Sequence, residues 1–217
     1  MQTNQANDAR IDLFIGSTGT GKSTSIKALL AEERPARVLV WDFMHEDGYA
    51  KIGRPAESGA ALLKALDAPG ARVAFRPDHD KPIDPQFALF CRAAFAYGDC
   101  TLIAEELSAV TKPNWAPDAW KKCLVMGRHR GMHVIGATQR PALVDKTIFS
   151  QATRIRCGRL LYDDDCKTMA KVLKADPGEI GEMPDGAFIE RFMRTGETVR
   201  GAISLRKGNR SAKKPAT

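Results

Sequence analysis

Residues 16–23, Gly-Ser-Thr-Gly-Thr-Gly-Lys-Ser, fit G-x-x-x-x-G-K-[ST] and stand between an apolar run, Ile11–Ile15, and a helix-like stretch opening at Lys22. That pattern in the order strand, loop, helix defines a P-loop. Its glycines let backbone N–H groups turn inward round a polyphosphate, and the helix N-terminus adds partial positive charge. The nucleotide-binding segment is then Gly16, Ser17, Thr18, Gly19, Thr20, Gly21, Lys22, Ser23 and Thr24. Lys22 is expected on the β/γ oxygens and the Ser23 hydroxyl on Mg²⁺, so ATP and Mg²⁺ are the implied ligands.

The rest of the chain alternates β-like and helix-like runs, as in an α/β protein whose mostly parallel sheet carries helices on both faces. The expected strands are Ile11–Ile15, Val38–Phe43, Ala71–Phe75, Thr101–Ala104, His133–Ala137 and Thr153–Leu160. Expected helices are Lys22–Glu32, Ser58–Leu66, Pro85–Tyr97 with Asp84 as N-cap, Pro117–Arg128 and Asp163–Leu173. The runs Ala187–Phe192 and Thr198–Ile203 read as a C-terminal β-hairpin.

With 217 residues, 43% hydrophobic and 27% charged, one domain is the default: a P-loop unit over residues 11–205, a flexible start over 1–10 and a basic tail over 206–217. No window approaches the roughly 20 apolar residues of a membrane span, and the N-terminus lacks a signal-peptide core, so a cytoplasmic location is expected. Five scattered cysteines, none in a C-x-x-C pair, indicate neither a disulfide framework nor a zinc site. A formal charge of +7 favours a polyanionic partner. Part of it lies in the tail at Arg206, Lys207, Arg210, Lys213 and Lys214, which reads equally as a solvated end or a nucleic-acid-binding arm.

A P-loop alone does not say what is done with the nucleotide. Thr101–Ala104 ends in Glu105 and Glu106, as expected where one acid serves the Mg²⁺ shell and the next polarises a water for in-line attack. His133–Ala137 runs into Thr138 and Gln139, and Gln139 is a candidate sensor beside the γ-phosphate. The loop Leu107–Pro117 holds Lys112 and Trp115 and leaves the acidic strand end where a channel-facing loop could.

The segment Gly127-Arg-His-Arg-Gly-Met-His-Val-Ile-Gly-Ala-Thr-Gln-Arg-Pro141 resembles the FtsK/HerA superfamily, in which a G/A-R-x-x-G stretch precedes a strand ending in T-Q-R-P. The similarity extends in outline over 11–203. It implies an ATPase of the ASCE/RecA-like class that pumps double-stranded DNA as a homo-oligomeric ring, usually a hexamer. By position Arg128 matches the arginine that reaches a neighbour's nucleotide in trans, with Arg154 as second choice. The first acid of the pair is usually Asp in that family, and Glu105 leaves the metal contact open to mediation by water. Lacking the extra domains of cellular members, the chain looks most like the packaging ATPases of tailless, internal-membrane viruses. Such a subunit would work in the host cytoplasm or at a virion vertex, docked on a portal or vertex protein. The alternatives are a pump for protein or single-stranded DNA, a small P-loop kinase, and a scaffold without turnover.

Overall fold

The computed structural model describes residues 8–205. Its centre is a nine-stranded sheet in the order β3-β4-β2-β5-β6-β1-β7-β8-β9. The strands are β1 (Arg10–Ile15), β2 (Val38–Trp41), β3 (Arg54–Ala56), β4 (Arg72–Phe75), β5 (Thr101–Ala104), β6 (His133–Thr138), β7 (Arg154–Cys157), β8 (Ala187–Phe192) and β9 (Thr198–Ala202). From β3 to β7 every pairing is parallel, while β7-β8 and β8-β9 are antiparallel. Such a sheet needs cover on both faces, and its central strands read as unbroken apolar runs. Val38–Trp41 and Thr101–Ala104 are indeed buried throughout.

Alternation along each strand divides the core in two. Phe14, Val38, Val40, Ile103 and Ile135 face Ile26 and Leu30 of α1 (Lys22–Glu33). Leu13, Leu39, Trp41, Leu102 and Val134 face the other way. There they meet α3 (Gly59–Leu66), α4 (Ile83–Tyr97), α5 (Asp118–Met126) and α7 (Asp163–Leu173). Trp41 anchors that side, 5.0 Å from the Phe87 ring and 5.6 Å from Phe75. Trp120, Cys123 and Leu124 of α5, with Gly127 just beyond its end, are buried. All five cysteines are buried and free. No helix among the described residues is long and apolar enough to cross a membrane.

The helix after Pro82 starts at Ile83 with Pro82 as N-cap, so Asp84 lies inside the first turn, where a carboxylate favours the helix dipole without capping it. The second strand stops at Trp41 rather than Phe43, because the Asp42 carboxylate accepts from the Glu46 N–H and turns the chain. The strand expected to reach Leu160 ends at Cys157, where Arg159 O instead accepts from Ser17 N of the P-loop. Three short helices were not legible: α2 (Asp47–Ala50), α6 (Thr147–Gln151) and α8 (Pro177–Glu182). Neither was the three-residue edge strand β3. Of the start expected to be flexible, residues 1–7 lie outside the described residues and Arg10 already belongs to β1. The tail, 206–217, also lies outside them.

Gly136 marks where helices and sheet come closest. A methyl group there would lie 2.7 Å from Ile148 Cδ1, 2.8 Å from Leu107 Cδ1 and 3.2 Å from Leu13 Cδ1. Gly136→Val should therefore cost about 1–3 kcal/mol by overpacking. The urea midpoint measures it, and an unchanged midpoint would show that β6 is packed more loosely than described.

Candidate nucleotide site

Parallel strands present their C-terminal ends on one edge of the sheet, where ligands of open α/β folds bind. The P-loop leaves β1 on that edge and leads into α1. It is tied to its neighbours by Gly16 N to Thr138 O (3.3 Å) and Ser17 N to Arg159 O (2.8 Å), and braced internally by Thr20 Oγ1 to Ser17 O (2.8 Å). Gly19 and Gly21 hold φ of 82° and 99°, a region that favours glycine. Nothing lies within 4 Å of where a Gly19 side chain would stand, so the loop's outer face is open to the cleft. Helix α1 has no side-chain cap and no acid in its first turn. Its free N–H groups and positive dipole end thus remain available to an anion.

Lys22 arches over the loop, donating from Nζ to Gly16 O (2.5 Å) and Ser17 O (3.1 Å). Burial pushes its pKa down, opposed by the charges of Glu105, Glu106 and Glu46. Lys22, Glu46, Glu105 and Glu106 all line a cleft of about 1150 Å³. That is ample for a nucleoside triphosphate, given that small-ligand pockets run to roughly 300–1,000 Å³.

The two adjacent acids just past the end of β5 point to different places because the chain has left the strand at Ala104 and turns at Glu106. Glu106 adopts φ 48°, in the left-handed region. Its Oε2 accepts from Gln139 Nε2 (3.1 Å) and its Oε1 from Ser108 Oγ (2.6 Å). Gln139 Oε1 in turn accepts from Thr18 Oγ1 of the P-loop (2.8 Å). One chain of hydrogen bonds therefore runs from P-loop to Gln139 to Glu106. Glu105 is buried, lines the cleft and is hydrogen-bonded by the Tyr49 hydroxyl. Burial, with Glu46 and Glu106 nearby, pushes its pKa up to about 7 against the Tyr49 bond and Lys22.

Sequence reasoning missed Glu46 and Tyr49. Ser23 Oγ lies 3.5 Å from Glu46 Oε1, and Lys27 Nζ 3.2 Å from Glu46 Oε2. The turn carrying Glu46 is held by Asp42, itself paired with Arg76 at 3.1 Å. Nothing in the local pattern of residues 42–50 advertises this; only the pairing of β2 with β5 brings that turn to the P-loop. Ser23 with Glu46, and the acids Glu105 and Glu106 along the same cleft, offer oxygen donors of the kind a hard divalent cation takes, but among the described residues no three acidic, histidine or cysteine side chains stand together as a ready metal cluster. Mg²⁺ characteristically takes few protein ligands and several waters.

Arg128 and Arg154 stand elsewhere. Arg128 lies in the turn Gly127–Arg130 before β6, exposed, while Gln139 follows the other end of that strand. Six residues of strand separate them, about 20 Å. Arg154 opens β7 on the same far edge and pairs with buried Asp12 at 2.6 Å. Neither borders the cleft of its own subunit.

Glu105 gives the site a pH signature. The folded protein holds its proton up to about pH 7, whereas the ordinary carboxyl releases it near 4.5. Stability from this group is thus complete below the lower value and lost as pH rises through the upper one, by about 3 kcal/mol. Between about pH 5 and 8 the urea midpoint of the wild type should fall more than that of Glu105→Gln, whose amide cannot ionise. Parallel slopes would mean that Glu105 is ionised throughout.

No family model matches the chain. It is 31% identical over 175 residues to Protein P9 of Pseudoalteromonas phage PM2, covering 79% of this chain and 78% of that protein. The genome packaging NTPase B204 of Sulfolobus turreted icosahedral virus 2, in complex with ATP-γS, superposes with a TM-score of 0.73 at 19% identity over 94% of this chain and 100% of that one. VirB4 of Thermoanaerobacter pseudethanolicus shares the fold at 0.67 and 10% identity, over 95% and 92% of the two chains. The bacterial conjugative coupling protein TrwB does so at 0.63 and 11%, over 94% and 86%. With the P-loop leaving β1, β6 lying between it and the acidic strand end, and Gln139 just past the end of β6, the chain has a P-loop ATPase fold and belongs to one family with Protein P9 of phage PM2.

Proposed function

We propose that this protein hydrolyses ATP to drive double-stranded DNA, as a subunit of a homo-oligomeric ring, a hexamer, that packages a viral genome at a portal or packaging vertex. The observation that carries the reading is the hydrogen-bond chain Thr18–Gln139–Glu106, which links the phosphate-binding loop to a carboxylate at the neighbouring strand end. A kinase would need a second pocket for an acceptor. The similarity to Protein P9 and the likeness of fold to B204 support packaging. The likeness of fold to VirB4 and TrwB keeps a pump for protein or single-stranded DNA as the second reading.

In this mechanism Gly16–Thr24 cradle the triphosphate and Lys22 neutralises the β/γ oxygens. Mg²⁺, when bound, supplies charge neutralisation at those oxygens. Ser23 and Glu105 would hold it, and Glu46 would add a further carboxylate beside Ser23. Glu106 orients the attacking water, and Gln139 exchanges its bonds to Thr18 and Glu106 for contacts at the γ-phosphate, so phosphate loss is felt on β6. Arg128, at the opposite edge from its own cleft, serves the neighbour's site; head-to-tail packing about a closed rotation brings those two edges together. A cation there stabilises transition-state charge.

Two experiments test this. Mixed with Glu106→Gln, Arg128→Ala should partly recover hydrolysis at interfaces that pair an intact Arg128 with an intact Glu106. A mixture no better than either variant, with subunit exchange confirmed, would sink the trans role. Double-stranded DNA of arbitrary sequence should stimulate hydrolysis, with a log-linear salt dependence of about −0.9 per phosphate neutralised, because a pump must grip backbone rather than bases. Hydrolysis indifferent to DNA at low salt in an assembled protein would favour the protein-pump reading.

A further inference from the structure

The C-terminal hairpin plays no part in the chemistry at the phosphates, yet the chain leaving it returns to the P-loop. Ile203 N donates to Gly186 O at 2.9 Å, which folds the segment after β9 back beside the turn Pro184–Gly186. From there the Ile203 side chain sits directly on Gly21. A side chain on Gly21 would collide with Ile203 Cδ1 and stand 2.9 Å from Leu205 Cδ2. Ile203 and Leu205 are half-buried and Ser204 between them is exposed, so two aliphatic side chains turn inward together. They border the same cleft as Gly19, Lys22 and Ser23.

That cleft has two chemistries. Free N–H groups, Lys22 and a hydroxyl occupy one part, and an aliphatic wall beside Gly21 and Thr24 another. A ligand whose phosphates lie on the loop must carry the rest of itself past Gly21, and a flat, weakly polar ring is the group an aliphatic wall rewards. We propose that Ile203 and Leu205 form the seat of the nucleoside, its base lying against their side chains while the phosphates occupy residues 19–23. This rests on the nucleotide-binding reading and adds to it the contact that separates a nucleotide from bare polyphosphate. It also joins the end of the hairpin to the nucleotide, so the seat is built only when β8 and β9 are paired onto β7.

The competing account is that the two side chains merely pack on Gly21. Titration calorimetry of the full chain with ADP and with tripolyphosphate, which has no nucleoside, separates the two. Wild type should bind ADP more tightly than tripolyphosphate. Leu205→Ser and Ile203→Ser should each weaken ADP by about tenfold, as loss of a buried aliphatic contact predicts, and leave tripolyphosphate unchanged. Ile203→Val should retain ADP binding, and its urea midpoint, with that of Leu205→Ser, checks the fold. Equal weakening of both ligands, or of neither, would overturn the proposal in favour of packing, as would a wild type that binds the two alike. A wild type that binds neither would overturn the nucleotide site itself.

Discussion

The order of three parallel strands underlies everything at this site. Because β6 lies between β1 and β5, their C-terminal ends deliver the P-loop, Gln139 and Glu106 side by side. A glutamine amide can then accept from Thr18 and donate to Glu106 at once, and it does so without titrating. If β5 paired directly with β1, the carboxylate would meet the P-loop with no side chain bridging the two. The inserted strand has to be thin to fit, and Gly136 at its centre, pressed by Leu13, Leu107 and Ile148, meets that requirement.

The far edge of the same strands is held by charge. Asp12 of β1 bonds His133 of β6 at 3.0 Å and Arg154 of β7 at 2.6 Å, so one carboxylate clasps both neighbours of the P-loop strand. Burial alone would push the Asp12 pKa up, but the His133 bond and the Arg154 charge outweigh it and hold the carboxyl below its ordinary range. A buried carboxylate of this kind is weak evidence for net stability, yet removing one partner would strand the others. It ties the register of three strands at one end while the functional loops extend from the other.

Electrostatics in the cleft are set by an excess of acid over base. Three carboxylates, Glu46, Glu105 and Glu106, act on Lys22. The protein relieves the crowding by burying Glu105 against Tyr49, where it keeps its proton to near neutrality. A cation bound beside these acids would change that balance and favour the ionised form of Glu105.

The strand–loop–helix of the P-loop, the apolar strands of the core and the hairpin at the end are legible along the chain, because each is a local pattern of periodicity and turn chemistry. Lys22, Ser23, Glu106 and Gln139 stand out as candidates for the same reason: each lies where a recognisable element opens or closes. The tertiary structure decided what stands beside what. Glu46 reaches Ser23 only because β2 pairs with β5, and Tyr49 reaches Glu105 only because the turn after β2 folds under the cleft. Ile203 reaches Gly21 only because the hairpin extends the sheet past β7. Ser23 and Glu46 are 23 residues apart, Tyr49 and Glu105 are 56, and no periodicity within an element carries information across such separations. Sheet pairing carries it, since it couples strands by backbone hydrogen bonds that are blind to side chains, and the partners at the strand ends follow from where the strands are laid.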